Sequence, residues 1–353
     1  MEKGLKRNQT MDVLKGLLII LVVLGHSLQY GFGPLYSESG AFYDDYLFRA
    51  IYTFHMPLFM AISGYFFYVS NQKPFSSVIL SKLKYIGVPY VVYFILLYFA
   101  WWELSHLDAF YLSDFLRKAR INLWFLSSLL LNILLVSVVT HACRRPYSDI
   151  TLWAMCILTL FIPDAIIPDV HKFLIPFFIL GYGYKANGTV LGRYLKQPLV
   201  LSLLTAGFVV GVCVLDGDMM VYEGGLCIVK DGHLDGGQLW VDVVRFAIGI
   251  VSSCWFVGVV LLIRPWCQPV VPFLVNIGGK TLAIYGVQSI LFYVVARTME
   301  VNNWTVPHNY LWAALLCAVV LAVCLAFYTL CDKTTIGRTL FLGKKPKLKQ
   351  GRC

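Results

Sequence analysis

Residues 17–28 read LLIILVVLGHSL and decide the fold class of this chain. His26 is the one ionisable side chain among them. A run this apolar predicts a helix in a membrane, and an ionisable group at that depth is costly enough to indicate a function. The structural alternative is a histidine buried against a neighbouring helix and satisfied by one hydrogen bond. His26 alone does not decide between the two.

The composition extends the membrane assignment to the whole chain. Of its 353 residues 59% are hydrophobic and 14% are charged, against roughly 25% charged in soluble domains. Two of its apolar stretches, 150–163 and 173–185, are short for a span of about 20 residues and form either two spans or one re-entrant hairpin. We predict an all-α integral membrane protein with about ten transmembrane helices. The ten stretches are 13–31, 51–70, 86–102, 121–140, 150–163, 173–185, 198–215, 240–263, 280–297 and 310–331.

The distribution of basic residues predicts the orientation. If the N-terminus is cytoplasmic and the spans alternate, most of the 29 Lys and Arg residues fall in cytoplasmic segments, as the positive-inside rule requires. We therefore expect a multi-pass protein of the cell membrane, with a cytoplasmic tail over 1–10, a membrane domain over 11–332 and a basic cytoplasmic tail over 333–353. The tail is expected to contact anionic membrane lipids, so the net charge of +10 requires no nucleic-acid partner.

The ten cysteines do not indicate disulfides or a metal site. Most lie inside apolar stretches, and there is no Cys-x-x-Cys pair. No set of His, Cys and acidic residues has metal-ligand spacing. We expect no metal cofactor.

Polar side chains inside the spans are the candidate functional residues. Lys15 lies eleven residues before His26, so both project from one helix face about 16 Å apart. Asp12 lies one turn before Lys15 and can pair with it. Each candidate also has a structural interpretation, as a repaired helix kink, a topology-setting charge, an interfacial anchor or a helix–helix contact. The other candidates are His55, Ser63, Lys82, Lys84, Trp124, Tyr285 and Gln288.

Several stretches together resemble acyltransferase family 3. Residues 11–26 are similar to its first helix, in which a basic residue, ten residues and then a histidine follow in order, and Lys15 and His26 match this spacing. Residues 54–67, FHMPLFMAISGYFF, resemble the branch related to sugar O-acetylases. Shorter similarities occur at 82–84 before Pro89, 123–126, 176–182 and 278–288. The last of these ends on Gln288, where the family has a histidine.

The resemblance implies a ten-helix membrane O-acyltransferase. The donor would be acyl-CoA, usually acetyl-CoA, and the acceptor a hydroxyl of a surface polysaccharide or lipid-linked sugar. His26, Lys15 and His55 would be catalytic, with His26 as general base or, alternatively, as the carrier of an acyl group. The residues that would bind the donor are Asp12, Lys82, Lys84, Trp124, Ser63, Tyr285 and Gln288. Ser63 and Tyr285 could also donate hydrogen bonds to a developing oxyanion.

Two questions stay open at the level of sequence. The first is the class of protein, because a transporter or flippase of a polysaccharide or lipid-linked sugar could line its pathway with the same histidines and lysine, and a scaffold without catalysis is a third class. The second is the side of the membrane. An acyl-CoA from the cytoplasm could meet a sugar from outside, or the acceptor could be a lipid-linked sugar on the cytoplasmic side.

Overall fold

Helices make up most of the computed structural model, which describes residues 8–104, 115, 118, 123–187, 191–226, 228–230 and 233–346. The helices are α1 Gln9–Tyr30, α2 Pro34–Glu38, α3 Tyr46–Tyr52, α4 His55–Ser70, α5 Phe75–Lys82, α6 Val88–Leu104, α7 Trp124–Ala142, α8 Tyr147–Thr159, α9 Asp169–Asn187, α10 Leu191–Tyr194, α11 Pro198–Val214, α12 Val221–Gly224, α13 Gly236–Ile263, α14 Val271–Gly278, α15 Thr281–Val301, α16 Tyr310–Cys331 and α17 Thr335–Leu340. Short 3₁₀ turns cover Ala41–Asp44 and Gln268–Val270, and a π turn covers Leu83–Gly87. Two strands, β1 Val229–Lys230 and β2 His233–Leu234, pair antiparallel with Val229 opposite Leu234.

The membrane class predicted from the sequence is confirmed. Seven helical segments in the described part of the chain are long and apolar enough to cross a membrane. Helix α11 is apolar but has 17 residues, and α8 has 13. The total of ten spans therefore stays a prediction. The seven segments are Gln9–Tyr30, Tyr46–Ser70, Phe75–Trp102, Trp124–Ala142, Gly236–Ile263, Thr281–Val301 and Tyr310–Cys331.

The two ends of the bundle are defined by hydrogen bonds between helices. At one end, called the base, Asn8 and Lys185 both donate to the hydroxyl of Tyr65, at 3.3 and 3.4 Å. At the other end, called the top, the indole of Trp312 donates to the carbonyl of Gly31 at 2.8 Å. Helix α16 begins at the top and therefore ends at the base, so both described ends of the chain lie at the base. That the base faces the cytoplasm stays a prediction.

Helices α8 and α9, of 13 and 19 residues, are separate, antiparallel elements. Helix α9 runs the length of α4, because its His171 lies beside Ser127 near the top (3.0 Å) and its Lys185 lies beside Tyr65 at the base. It therefore covers the same depth as α4, which belongs to a candidate span. The loop that joins α8 to α9 contacts the segment around Ile228 near the top. There the amide of Ile228 donates to the carbonyl of Leu160 at 3.1 Å.

Glycines allow α4 and α9 to pack backbone against backbone. A Cβ on Gly64 would overlap the carbonyl of Phe178, and one on Gly181 would overlap the carbonyl of Ala61. Small residues at such crossings let membrane helices approach closely, which maximises van der Waals contact where lipid gives no hydrophobic drive. Residues 54–67 and 176–182, which each resemble a segment of the family, thus form one helix–helix interface.

Candidate functional site

The imidazole of His26 faces the side-chain amide of Gln288. His26 Nδ1 and Gln288 Oε1 are 2.7 Å apart. The other amide atom, Nε2, donates to the carbonyl of Tyr285 at 3.3 Å and to Ser289 Oγ at 3.0 Å. Because a backbone carbonyl only accepts, the amide orientation is fixed and its oxygen must accept from His26. Nδ1 therefore carries the proton, and Nε2 keeps a lone pair that can accept one.

Two aromatic rings flank this imidazole. The ring centroid of Phe292 is 5.7 Å from that of His26 at a steep angle, and the ring of Tyr30 is 5.9 Å away. Phe292 is buried on α15, one turn after Gln288. The rings restrict how the imidazole can rotate, so it is held for proton transfer at Nε2.

His55 lies at a break between α3 and α4. Helix α3 ends at Tyr52, and across the break His55 Nδ1 donates to the carbonyl of Ile51 at 2.8 Å. The interpretation of His55 as the repair of a kinked helix is thus what the geometry shows. The same bond leaves Nε2 as the acceptor nitrogen. No hydrogen bond joins His55 to His26 in the described structure, because the ring of Tyr52 packs against both His55 (4.5 Å) and the backbone at Gly25.

Ser63 and Tyr285 differ in whether the hydrogen of the hydroxyl group already has an acceptor. Ser63 Oγ donates to the carbonyl of Phe59 at 2.9 Å, one turn earlier in its own helix. The hydroxyl of Tyr285 accepts from the amide of Phe125 at 3.3 Å, and no acceptor for its own hydrogen occurs among the described residues. Tyr285 is also three residues from Gln288, on the same face of α15. Tyr285 is therefore the better placed of the two to donate to an oxyanion.

A small pocket opens at the top beside His55. It has a volume of about 50 Å³, and Tyr52, Trp124 and Tyr222 are among the residues that line it. The rings of Trp124 and Tyr222 are 5.9 Å apart, and that of Tyr52 lies 6.5 Å from Tyr222. This placement separates Trp124 from Lys82 and Lys84, with which the resemblance grouped it as donor-binding.

The segment 216–226 covers this pocket and is held by Arg245. The guanidinium donates to the carbonyls of Met219 (2.6 Å), Asp218 (3.0 Å) and Gly225, and it pairs with Asp242 at 3.0 Å. Both partners of the pair are almost completely buried. An ion pair with this many hydrogen bonds fixes the position of the segment over the pocket.

A tyrosine outside the spans supports the same segment. The phenol of Tyr43 donates to Glu223 at 3.0 Å. Burial first, and this bond second, raise the pKa of Tyr43 above its ordinary value, so the phenol stays a donor across the physiological range.

The cations predicted to meet the donor lie towards the base. Lys15 pairs with Asp12 at 2.9 Å and lies over the ring of Phe66, 4.7 Å from its centroid. The ammonium of Lys82 lies 5.5 Å from the ring centroid of Phe67, so Lys15 and Lys82 approach the same end of α4. The predicted i, i+3 pair of Asp12 and Lys15 is confirmed, and its charge is largely neutralised.

Lys84 lies in the π turn Leu83–Gly87. Pro89 has no N–H to give to the carbonyl four residues earlier, and the helix widens by one residue there. Lys84 is exposed, and no ion-pair partner occurs among the described residues. It is therefore open to an anionic group from solution.

Reasoning from the sequence missed several residues at the top of the site. Asp242 and Arg245 are an i, i+3 pair of opposite charges inside the apolar stretch 240–263, and charges at that depth are a signal that could have found them. Tyr52 and Tyr222 gave no comparable signal, because tyrosines are common in this chain and neither occurs in a distinctive spacing.

The apolar spans surround a histidine whose ring can accept a proton. These features define a multi-pass membrane protein with a candidate group-transfer centre. A family model described as an acyltransferase domain matches residues 8–330, so the chain belongs to acyltransferase family 3 and is a membrane acyltransferase. Nodulation protein NolL of Mesorhizobium japonicum is 25% identical, over 97% of this chain and 91% of its own length. NolL of Sinorhizobium fredii is 28% identical, over 81% of this chain and 78% of its own. No solved structure matches the chain.

Proposed function

We propose that this protein moves an acyl group, expected to be acetyl, from acyl-CoA to a hydroxyl of a cell-surface or lipid-linked sugar in the cell membrane. The observation that carries the proposal is the 2.7 Å contact between His26 Nδ1 and Gln288 Oε1. It leaves Nε2 as the basic nitrogen, at a depth where an ionisable group indicates a function.

The chemistry requires a base because a hydroxyl is a poor nucleophile near neutral pH. His26 Nε2 takes the proton as the hydroxyl oxygen attacks the thioester carbonyl. The carbon–sulfur bond then breaks, and the CoA thiolate takes that proton from the imidazolium. Tyr285, whose hydroxyl hydrogen has no described acceptor, donates to the oxyanion between these steps.

The donor would bind from the base. Lys82 and Lys84 are two cations there that can meet the phosphates of CoA, and Lys15 is closer to His26 along α1. Lys15 is paired with Asp12 and lies about 16 Å below His26. Its role is therefore in placing the donor arm, and the reacting atoms would meet near His26.

The acceptor would approach from the top. The pocket beside His55 is lined in part by aromatic rings, which suit the apolar faces of sugar rings, but about 50 Å³ holds no more than a few waters. A sugar therefore requires movement of the segment 216–226, as with other lids over active sites. The family assignment does not favour the transporter or flippase.

The experiment is a comparison of surface glycans from cells with and without the intact gene, by mass spectrometry. In cells without the gene, each modified sugar is expected to lack the mass of one acyl group. Complementation with the His233→Ala variant should restore that mass. His233 is an exposed histidine in β2 and serves as the matched control for His26. Glycans of identical mass in the two strains would contradict the proposal.

A further inference from the structure

A large cavity lies at the base, away from the transfer centre. It has a volume of about 950 Å³, at the upper end of the range of about 300–1,000 Å³ for ligand sites. Helices α1, α4, α9 and α13 contribute its walls, which are mostly apolar; Leu58, Ile62 and Phe177 are among the lining residues.

The cavity opens sideways towards the membrane. Four of its apolar lining residues are also exposed on the surface of the bundle, by 39–44% of their area. Ile250 belongs to α13, which is a candidate membrane span, so a chain from the bilayer can reach the cavity beside that helix. The four residues are Trp153, Leu180, Leu191 and Ile250.

The end of the cavity at the base is cationic. Lys185, Arg193 and Lys196 line it. The single acid among the lining residues is Asp149, which pairs with Arg145 outside the cavity at 3.4 Å. No carboxylate of the described residues forms an ion pair with any of the three cations, and the ammonium of Lys185 lies beside the phenol of Tyr65.

This cavity is distinct from the site of acyl transfer. Met11 and Leu14 line it from α1, whereas the ammonium of Lys15 lies over the ring of Phe66, which is not part of the cavity wall. Leu14 is about 18 Å from His26 along the axis. The ring of Phe177 packs against Gly249 and closes the cavity towards the pocket at the top.

We propose that the cavity binds one anionic phospholipid of the membrane leaflet at the base. Its acyl chains occupy the apolar part, and its phosphate lies among Lys185, Arg193 and Lys196. Basic pockets between transmembrane helices on the cytoplasmic side recognise anionic head groups in this way. The proposal does not depend on the transfer reaction, and it gives the lipid a role in joining α13 to α4 and α9.

Native mass spectrometry tests it, on full-length protein purified in detergent with equal amounts of phosphatidylglycerol and phosphatidylcholine. Wild-type protein is expected to retain one phosphatidylglycerol. Gly183→Phe fills the cavity, because a Cβ at Gly183 meets no atom within 4 Å, and it should abolish retention. Gly236→Phe is the control, since Gly236 has the same free space outside the cavity.

A second variant tests the charges. The triple variant Lys185→Gln, Arg193→Gln, Lys196→Gln should bind phosphatidylglycerol about tenfold more weakly or worse. Its control, Lys73→Gln, Arg144→Gln, Lys333→Gln, removes three exposed cations elsewhere and should bind normally. If Gly183→Phe does not fold, the charge variant decides. Equal retention of the two lipids by wild type, normal binding by the charge variant, or displacement of the lipid by acetyl-CoA would overturn the proposal.

Discussion

His26 on α1 and Gln288 on α15 are 262 residues apart in sequence and 2.7 Å apart in space. The amide oxygen of Gln288 holds the Nδ1 proton and leaves Nε2 free. This is the role that a carboxylate or carbonyl takes beside the histidine of many enzymes, where the partner fixes the tautomer. Gln288 is therefore best described as a positioning residue.

Replacement of Gln288 separates that role from simple packing. Gln288→Leu keeps the size but removes the acceptor, so kcat should fall about tenfold or more with little change in KM, because the tautomer is no longer fixed. Gln288→Glu keeps an acceptor oxygen at the same place and should keep kcat within a few-fold. Steady-state kinetics with acetyl-CoA measure both. Full activity of Gln288→Leu would show that the contact does not matter to catalysis.

His55 has a structural bond and a free nitrogen, which two variants distinguish. His55→Asn can still donate to Ile51 but lacks Nε2, whereas His55→Ala loses both. If the imidazole contacts the acceptor, His55→Asn folds normally and its KM for the acceptor rises several-fold. A His55→Asn enzyme with unchanged KM and kcat would restrict His55 to helix repair. Circular dichroism of both variants supplies the control for folding.

Membrane class and helix positions could be predicted because they depend on local properties. Hydropathy locates spans such as Gln9–Tyr30 directly, since each must satisfy its backbone within itself. Short or polar segments could not be assigned in this way: α9 carries His171 and Lys172 but lies along α4 for its whole length. Its place in the bundle depends on packing against Gly64, which hydropathy does not report.

The candidate site was predicted in part. His26 stands out because an ionisable group in an apolar run is rare, and Gln288 because it departs from a motif. Their contact could not be predicted, because it joins the first helix to one near the end of the chain. Trp124 was grouped with the donor on similarity alone, and its position at the top depends on where α7 begins.

The glycine interface between α4 and α9 should be intolerant of a single methyl group. Gly64→Ala or Gly181→Ala would force the backbones apart and is expected to cost about 1–3 kcal/mol of folding free energy, as overpacking does. Gly183→Ala, on the same helix in open space, is the control and should be neutral. Thermal unfolding in detergent measures all three. Equal melting temperatures would contradict the close packing.

Arg245 should control the segment over the top pocket. Arg245→Gln leaves Asp242 buried without its partner and removes the bonds to Met219 and Asp218, at an expected cost of about 3–5 kcal/mol. Limited proteolysis should then cleave within 216–226 much faster than in wild type. Arg297→Gln, which breaks an exposed ion pair with Glu300, is the comparison and should leave cleavage unchanged. Equal cleavage rates in the two variants would exclude Arg245 as the anchor.

The most direct test of the account is the rate of acyl transfer by His26→Ala. Purified protein would be given radiolabelled acetyl-CoA and the glycan fraction extracted from cells that lack the gene, and label in the glycan would be counted. We expect kcat to fall about 10²–10⁴-fold, the usual contribution of a general base, while His233→Ala stays within twofold of wild type. Transfer by His26→Ala at the wild-type rate would contradict the central claim.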